Sequence, residues 1–274
     1  MIKKEVLDVI EGLVKDLNLP ADAKSASVKV EDIIFNRNEV YDTTQIRVWA
    51  FRNRGDYRYD DNGDKIALDL GNMVNQDVEV NGIKFENSEC LYISGLYSDG
   101  SFQSTQVQNM LAKHRNGLFA KKMFRYRTNE YCQFKRSDWT TFNVEWMKYV
   151  IKCKVDSNPQ FRQLLLSIPD NVMIVEDVSF QPTTSATRLF WGAENTEQKH
   201  LKKNSLKKLK KILKEKEIKY RKEYGKYLYN SIFNIGSYHG VNTMGKILTY
   251  MKLCLKEGFQ PEIDYDLLNS KDIS

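Results

Sequence analysis

The alternation of hydrophobic and polar positions changes in character along the chain. Apolar residues recur at helical spacing between residues 2 and 17, and Pro20 ends that pattern. Short alternating runs typical of strands follow, and one of them ends at Ala50-Phe51. Asn81-Gly82 then lies between two alternating runs within residues 77–85. This dipeptide predicts a type I′ hairpin, because both central residues of that turn need a positive φ.

Helical patterns dominate after the hairpin. The spacing predicts helices over residues 89–97, 103–114, 116–126 and 138–155, another that begins at Asn158-Pro159, and a last one over about 242–256. Strands are predicted from Val172 to Val178 and from Ala186 to Trp191. We therefore predict an α+β fold, helix-rich, with a small β-sheet and a hairpin in a single domain.

One segment differs from the rest in charge. Residues 199–226 contain 13 of the 42 Lys and Arg residues and 3 of the 36 Asp and Glu residues, a local net charge of +10, so the remainder carries −4. Leu206, Leu213, Tyr220 and Tyr227 recur at sevens there, which predicts one long amphipathic helix able to project from the body. Such a helix favours an anionic partner, nucleic acid first, and a solvated lysine-rich face is the alternative.

Several protein classes are excluded by what the sequence lacks. No apolar run approaches the ~20 residues of a membrane span, and no secretory leader is visible. The four cysteines are scattered, so we expect a cytoplasmic protein with free thiols. Phosphate-loop and dinucleotide motifs are absent, and the three histidines are too far apart for a zinc pair. These observations predict no metal and no cofactor.

Three short segments are candidates for chemistry. Glu89 follows Ser88 at a helix start, where a carboxylate is favoured as a catalytic group or merely as part of a cap. Trp191-Gly192 fits either a ligand-facing aromatic or a half-buried core tryptophan. Residues 240–245, with the sequence GVNTMG, open the last helix, where free backbone N–H groups suit a phosphate or simple capping.

Taken in order, the segments resemble the NADAR superfamily, named for its association with NAD and ADP-ribose. The match covers residues 46–258 and is interrupted by a basic helical insertion at 195–238. Residues 1–45 form an N-terminal extension, so 1–274 is interpreted as a single NADAR-like domain. The matching motifs are Ala50-Phe51, Gly71-Asn72-Met73, Asn81-Gly82, Ser88-Glu89-Cys90, Ala120-Lys121-Lys122, Asp138-Trp139, Trp146-Met147-Lys148, Asn158-Pro159-Gln160-Phe161-Arg162, Ile174-Val175-Glu176, Trp191-Gly192 and residues 240–245.

The resemblance implies an N-glycosidase that cleaves a ribose C1′–N bond. Removal of ADP-ribose from modified guanine in DNA is the first expectation, with the basic segment 199–226 contacting DNA. A small ribosylamino-pyrimidine phosphate of the riboflavin-pathway type is the alternative substrate. A non-catalytic protein that binds ADP-ribose or a nucleotide is the third possibility. In each case the partner is a ribosylated base or an ADP-ribosylated nucleic acid, and not a membrane.

The resemblance also implies which residues form the site, and the chain departs from the family there. Glu89 matches the family's glutamate, but the following His is Cys90 here and the lysine seven residues on is Leu96. Lys84 or Lys121 would have to supply a lysine for an open-sugar intermediate. The implied catalytic residues are Glu89, Lys84 and Glu194. The implied substrate-binding residues are Phe51, Arg52, Asn72, Lys121, Trp191, Gly192, Gly240, Asn242 and Gly245.

Overall fold

The computed structural model describes residues 2–126, 130–185 and 187–269, and it confirms a helix-rich α+β fold. The helices are α1 (Lys4–Lys15), α2 (Ser88–Ser94), α3 (Phe102–Ala112), α4 (Gly117–Ala120), α5 (Trp139–Ser157), α6 (Pro159–Ser167), α7 (Arg188–Trp191), α8 (Thr196–Glu215), α9 (Lys222–Asn230), α10 (Thr243–Glu257) and α11 (Tyr265–Asn269). The strands are β1 (Glu39–Asp42), β2 (Arg47–Phe51), β3 (Tyr57–Tyr59), β4 (Lys65–Ala67), β5 (Val78–Val80), β6 (Ile83–Phe85), β7 (Val172–Glu176) and β8 (Ser237–Gly240).

The chain divides into two compact units, and the boundary falls within α10. The first unit comprises Met1–Leu68 and Pro169–Thr249, and the second comprises Asp69–Ile168 and Tyr250–Ser274. The single-domain organisation expected from the sequence stays a prediction. No helix in the described ranges is both long and apolar enough to cross a bilayer.

Pairs of strands organise the first unit. β2 runs parallel to β7, and β1 pairs antiparallel with β8. Their inward side chains form an apolar cluster that includes Tyr41, Val48, Val175 and Tyr238. Residues 57–67 form the β3–β4 hairpin. The sequence pattern missed it because each strand has only three residues and Arg58 takes the buried position between two tyrosines.

The basic segment of the first unit is two helices and not one. The backbone of Glu217 adopts a left-handed φ of 57°, α8 ends before it, and α9 begins at Lys222. The predicted projection is also wrong. Leu209 and Leu213 are buried against Val6 and Ile10 of α1 in one apolar cluster. Packing of this apolar face stabilises the contact between α8 and α1, because each buried leucine contributes about 2 kcal/mol.

The strand predicted from Ala186 to Trp191 is wrong over its described part. Residues 188–191 form the short helix α7, in which the Trp191 and Gly192 amides donate to carbonyls four residues earlier. Ala186 lies outside the described residues. A run of three apolar residues fits either a strand or a helical turn, so periodicity could not separate them.

The second unit contains the predicted hairpin and most of the predicted helices. Strands β5 and β6 pair antiparallel, and Asn81 and Gly82 have φ values of 49° and 75°, as a type I′ turn requires. Helix α6 begins with Pro159 at its first turn, after Asn158, whose Oδ1 accepts a hydrogen bond from the Phe161 amide. The helix predicted over 116–126 is present as α4, continued by a π-helical turn.

Candidate functional site

Glu89 lies in the first turn of α2, directly after the hairpin. The helix cap is Asn87, whose Oδ1 accepts a hydrogen bond from the Cys90 amide at 3.0 Å, and not Ser88 as the sequence suggested. The Glu89 amide donates to the Asn72 carbonyl at 3.0 Å. Asn87 therefore caps α2, and the Glu89 carboxylate lies at the helix N-terminus without serving as the cap.

The Glu89 side chain is almost fully buried and faces one lysine. Its Oε1 lies 3.4 Å from Lys121 Nζ, and the side chains of Glu89 and Lys121 are 5% and 24% exposed. Oε1 has no hydrogen-bond partner among the residues that the structure describes. A buried carboxylate normally has such a partner. The pair therefore combines a preformed negative charge with an oxygen still able to accept a hydrogen bond, next to a partly open lysine.

A glycine lets α4 approach this carboxylate closely. A Cβ added at Gly117 would lie 3.2 Å from Glu89 Cβ and 2.9 Å from Asn87 Oδ1. Either contact is tighter than ordinary packing. Gly117 therefore permits the placement of Lys121, one turn further along, opposite Glu89.

Cys90 occupies the position where the resembled family has histidine. Its thiol donates to the His114 carbonyl at 3.3 Å. Burial raises the pKa of this thiol to about 12. Cys90 is therefore a neutral thiol at physiological pH, and it replaces the imidazole with a group that cannot shuttle protons there.

Among the predicted residues of the second unit, Asn72, Glu89 and Lys121 lie together. Asn72 is half-buried, and its Nδ2 donates to Met147 Sδ at 3.4 Å. Lys84 has a different setting on the exposed hairpin strand β6, 2.5 Å from Asp77. The hydrogen bond that Lys84 donates to the Asp77 carboxylate raises the Lys84 pKa, so this lysine is poorly suited to be the nucleophile proposed for it.

In the first unit, the Asn242 side chain contacts the backbone of β7. Its side chain is fully buried, with Nδ2 donating to the Ile174 carbonyl at 2.9 Å and Oδ1 accepting from the Glu176 amide at 3.1 Å. Its backbone has a left-handed φ of 56°. Both ends of the amide fasten the start of α10 to β7, and the binding role stays a prediction.

Three glycines and Phe51 likewise serve the packing of the first unit. A Cβ at Gly192 would lie 2.5 Å from the Glu176 carbonyl oxygen. One at Gly240 would collide with the Gly192 carbonyl, and one at Gly245 with the Ile174 carbonyl. Phe51 is buried at the end of β2. The predicted backbone approach therefore exists at these glycines, but it is to other backbone segments of this chain.

Trp191 and Glu194 flank Gly192. The Trp191 ring is half-buried and packs edge-on against Phe190. Glu194 Oε2 accepts from Arg188 Nη1 at 2.7 Å, and this bond lowers the pKa of the carboxyl. Glu194 is thus an ion-paired carboxylate, and the catalytic role that the resemblance implied for it stays a prediction.

Among the buried cations that the sequence interpretation missed are Arg58 on β3 and Lys202 on α8. Lys202 could have been found. It lies seven residues before Leu209 and eleven before Leu213, and such spacing places all three on one helix face. The abundance of lysines around it concealed that this one is inside.

Comparisons with known proteins show a distant structural relationship. No protein-family model matches the chain, and no curated protein matches it. Among solved structures, the chain is similar to the NMR structure of the E. coli protein YbiA, with 18% sequence identity and a TM-score of 0.39. That similarity covers 64% of this chain and 89% of YbiA. It is a distant structural relationship, too loose to transfer an activity or a residue role.

Proposed function

We propose that this protein is an N-glycosidase that cleaves a ribose C1′–N bond, and that its substrate is ADP-ribosylated guanine in DNA. The observation that carries the proposal is the buried Glu89 carboxylate, whose Oε1 lies 3.4 Å from Lys121 Nζ and has no hydrogen-bond partner in the described part of the chain. The ordered motifs that resemble NADAR proteins support the type of bond.

Glu89 supplies the charge that such a reaction needs. When the C1′–N bond breaks, positive charge develops on the sugar, and a carboxylate at C1′ or at the ribose hydroxyls stabilises it. Water adds to C1′, and the base nitrogen takes up a proton. Burial of Glu89 strengthens this interaction, because competing water is excluded.

Lys121 has two roles open to it beside this carboxylate. As an ammonium it forms an ion pair with Glu89. If the sugar opens, the neutral amine can attack C1′ and displace the base as its free amine. Water then hydrolyses the resulting Schiff base and releases the lysine. The 24% exposure of the Lys121 side chain leaves it accessible to a ligand.

The surface of α8 favours a polymeric substrate. Lys202 faces inward, whereas the other side of the helix carries exposed lysines. These exposed lysines are Lys203, Lys207, Lys208, Lys210, Lys211 and Lys214. A row of cations on one helix face is a typical contact for phosphates of a nucleic acid.

The test is a mass measurement on an oligonucleotide that carries ADP-ribosylated guanine. We expect the full-length chain to remove the mass of ADP-ribose and leave an intact oligonucleotide. A second arm replaces four exposed lysines by glutamine (Lys203, Lys207, Lys208, Lys214). This variant keeps the apolar face of α8, which deletion of the segment would destroy.

The two arms separate the alternatives. Turnover that falls at least tenfold in the four-lysine variant, an effect of about 1.4 kcal/mol, supports the polymeric substrate. Equal turnover of the oligonucleotide by the parent and the four-lysine variant would mean that the basic helix does not contribute to substrate binding. An unchanged oligonucleotide, with turnover of a ribosylamino-pyrimidine phosphate, would favour the small substrate. Binding of ADP-ribose without any turnover would indicate a non-catalytic binder.

A further inference from the structure

Three cationic side chains of the first unit line one small cavity. They are Arg52, which follows β2, Arg58 on β3 and Lys202 on α8. Arg58 and Lys202 are 7% and 6% exposed, and Arg52 is half-buried. Cations are rarely this buried without a compensating anion, since removing them from water costs several kcal/mol each.

None of the three cations forms an ion pair within the described ranges, although two carboxylates line the same cavity. Asp56 Oδ2 accepts from the backbone amides of Arg52 and Asn53, both at 2.8 Å. Asp177 Oδ1 accepts from the Ser179 amide at 2.9 Å. Both carboxylates therefore accept hydrogen bonds from backbone amides, and they interact with the three cations only at longer range.

The guanidinium groups are oriented by aromatic rings and leave donors unused. Arg52 lies over Phe180, with its Cζ 4.2 Å from the ring centroid, and Arg58 lies over Phe233 at 5.1 Å. Arg52 Nη1 and Arg58 Nε are buried and have no hydrogen-bond partner among the described residues. Stacking of this kind fixes the plane of an arginine, so the direction of its free N–H groups is set in advance.

The pKa of Lys202 reflects the same shortage of negative charge in the cavity. Burial lowers its pKa to about 7, Asp177 and Asp56 raise it, and Arg58 and Arg52 lower it further. The cavity therefore holds one positive charge more than it holds negative charges when Lys202 is protonated. A bound anion would restore the balance and favour that protonated form.

We propose that Arg52, Arg58 and Lys202 form a binding site for a phosphate group beneath helix α8. Two arginines with free N–H groups and one lysine are the donors that a tetrahedral oxyanion prefers. The site does not rest on the glycosidase proposal, because it requires no reaction and is argued from these three cations alone, although the resemblance also implied Arg52 as a substrate-binding residue. The phosphate is either free inorganic phosphate or the phosphoryl end of a larger molecule.

The experiment is calorimetric titration of the full-length chain at constant ionic strength, with inorganic phosphate in one arm and glycerol 3-phosphate in the other. We expect saturable binding of at least one of them. Lys202→Met should weaken it by at least about tenfold, which corresponds to the loss of a charged hydrogen bond. The matched control is Lys15→Met, which removes an exposed lysine at the end of α1 and should change the affinity less than about twofold.

Thermal unfolding supplies a second readout that a misfolded variant cannot imitate. Phosphate should raise the melting temperature of the parent and not that of Lys202→Met. Without phosphate, Lys202→Met should melt at a higher temperature than the parent, because the substitution removes an uncompensated buried charge. If that variant does not fold, Arg52→Gln takes its place. Absence of saturable binding to both probes, or equal binding by parent and variant, would overturn the proposal.

Discussion

Lys154 on α5 illustrates at the scale of one residue how strongly burial acts on a charge. Its side chain is fully buried, and Nζ lies 4.1 Å from the Phe161 ring centroid without a hydrogen-bond partner in the described part of the chain. Burial lowers its pKa to about 7, and the charge of Asp69 offsets only part of this effect. The folded chain therefore begins to lose this proton near neutral pH, whereas the unfolded chain keeps it up to about pH 10.

This difference predicts how stability depends on pH. Between pH 7 and 9 the unfolded state binds one proton more at Lys154, so its contribution makes the free energy of unfolding rise with pH by up to about 1.4 kcal/mol per unit. Lys154→Met should remove that contribution and stabilise the chain at pH 7 by a few kcal/mol. Urea unfolding of parent and variant at pH 7, 8 and 9 measures both effects.

A matched lysine on the same helix provides the control. Lys152 pairs with Asp156 at 2.6 Å, and this bond raises its pKa, so it stays protonated in both states over the same pH range. Lys152→Met should leave the pH slope unchanged. The interpretation of Lys154 would fail if Lys154→Met kept the slope of the parent, or if both variants altered it equally.

At the scale of elements, the packing of α8 decides how the basic segment behaves. The helix buries Leu209 and Leu213 in the cluster that contains Val6 and Ile10 of α1, and α9 adds Leu228. Its exposed lysines consequently lie on the outer face, and Lys202 faces inward. The segment is part of the first unit's core and not an appendage that can be removed without loss.

A pair of neighbouring substitutions tests this packing. Leu213→Ala should lower the free energy of unfolding by about 2–5 kcal/mol, because it opens a cavity in a fully buried site. Ile212→Ala, one position away and only half-buried, should cost less than half as much. Chemical denaturation measures both. Equal, small effects would mean that α8 is not packed on α1.

The accuracy of the sequence prediction differed between elements for physical reasons. Asn81-Gly82 specifies its own turn, and Asn158-Pro159 specifies a helix start, so both were predicted correctly from local chemistry. The break at Glu217 was not, because the spacing of sevens continues across it from Leu213 to Tyr220. The spacing of apolar side chains shows which face of a helix is apolar, but it does not show whether two successive helical segments form one continuous helix.

At the scale of the whole molecule, the chain assigns its polar chemistry to two separate places. The second unit holds the Glu89–Lys121 pair, and the first holds the cluster of Arg52, Arg58 and Lys202. Only part of this was predictable. Motif order pointed to Glu89, because a helix start after a hairpin is visible in sequence. The burial of Arg58 depends on tertiary packing, which no local pattern encodes. The helical spacing of Lys202 with Leu209 and Leu213 does carry a signal of its burial.

The measurement that tests the central claim most directly is the rate of C1′–N cleavage by Glu89→Gln beside Glu86→Gln. Glu86 lies three residues before Glu89 in the sequence, its Oε1 is 3.4 Å from Arg115 Nε, and its side chain is 33% exposed. We predict that Glu89→Gln lowers the single-turnover rate by about 100- to 10,000-fold while its melting temperature stays close to that of the parent. Glu86→Gln should leave both the single-turnover rate and the melting temperature close to those of the parent. Retention of most of the cleavage rate by a folded Glu89→Gln variant would contradict the assignment.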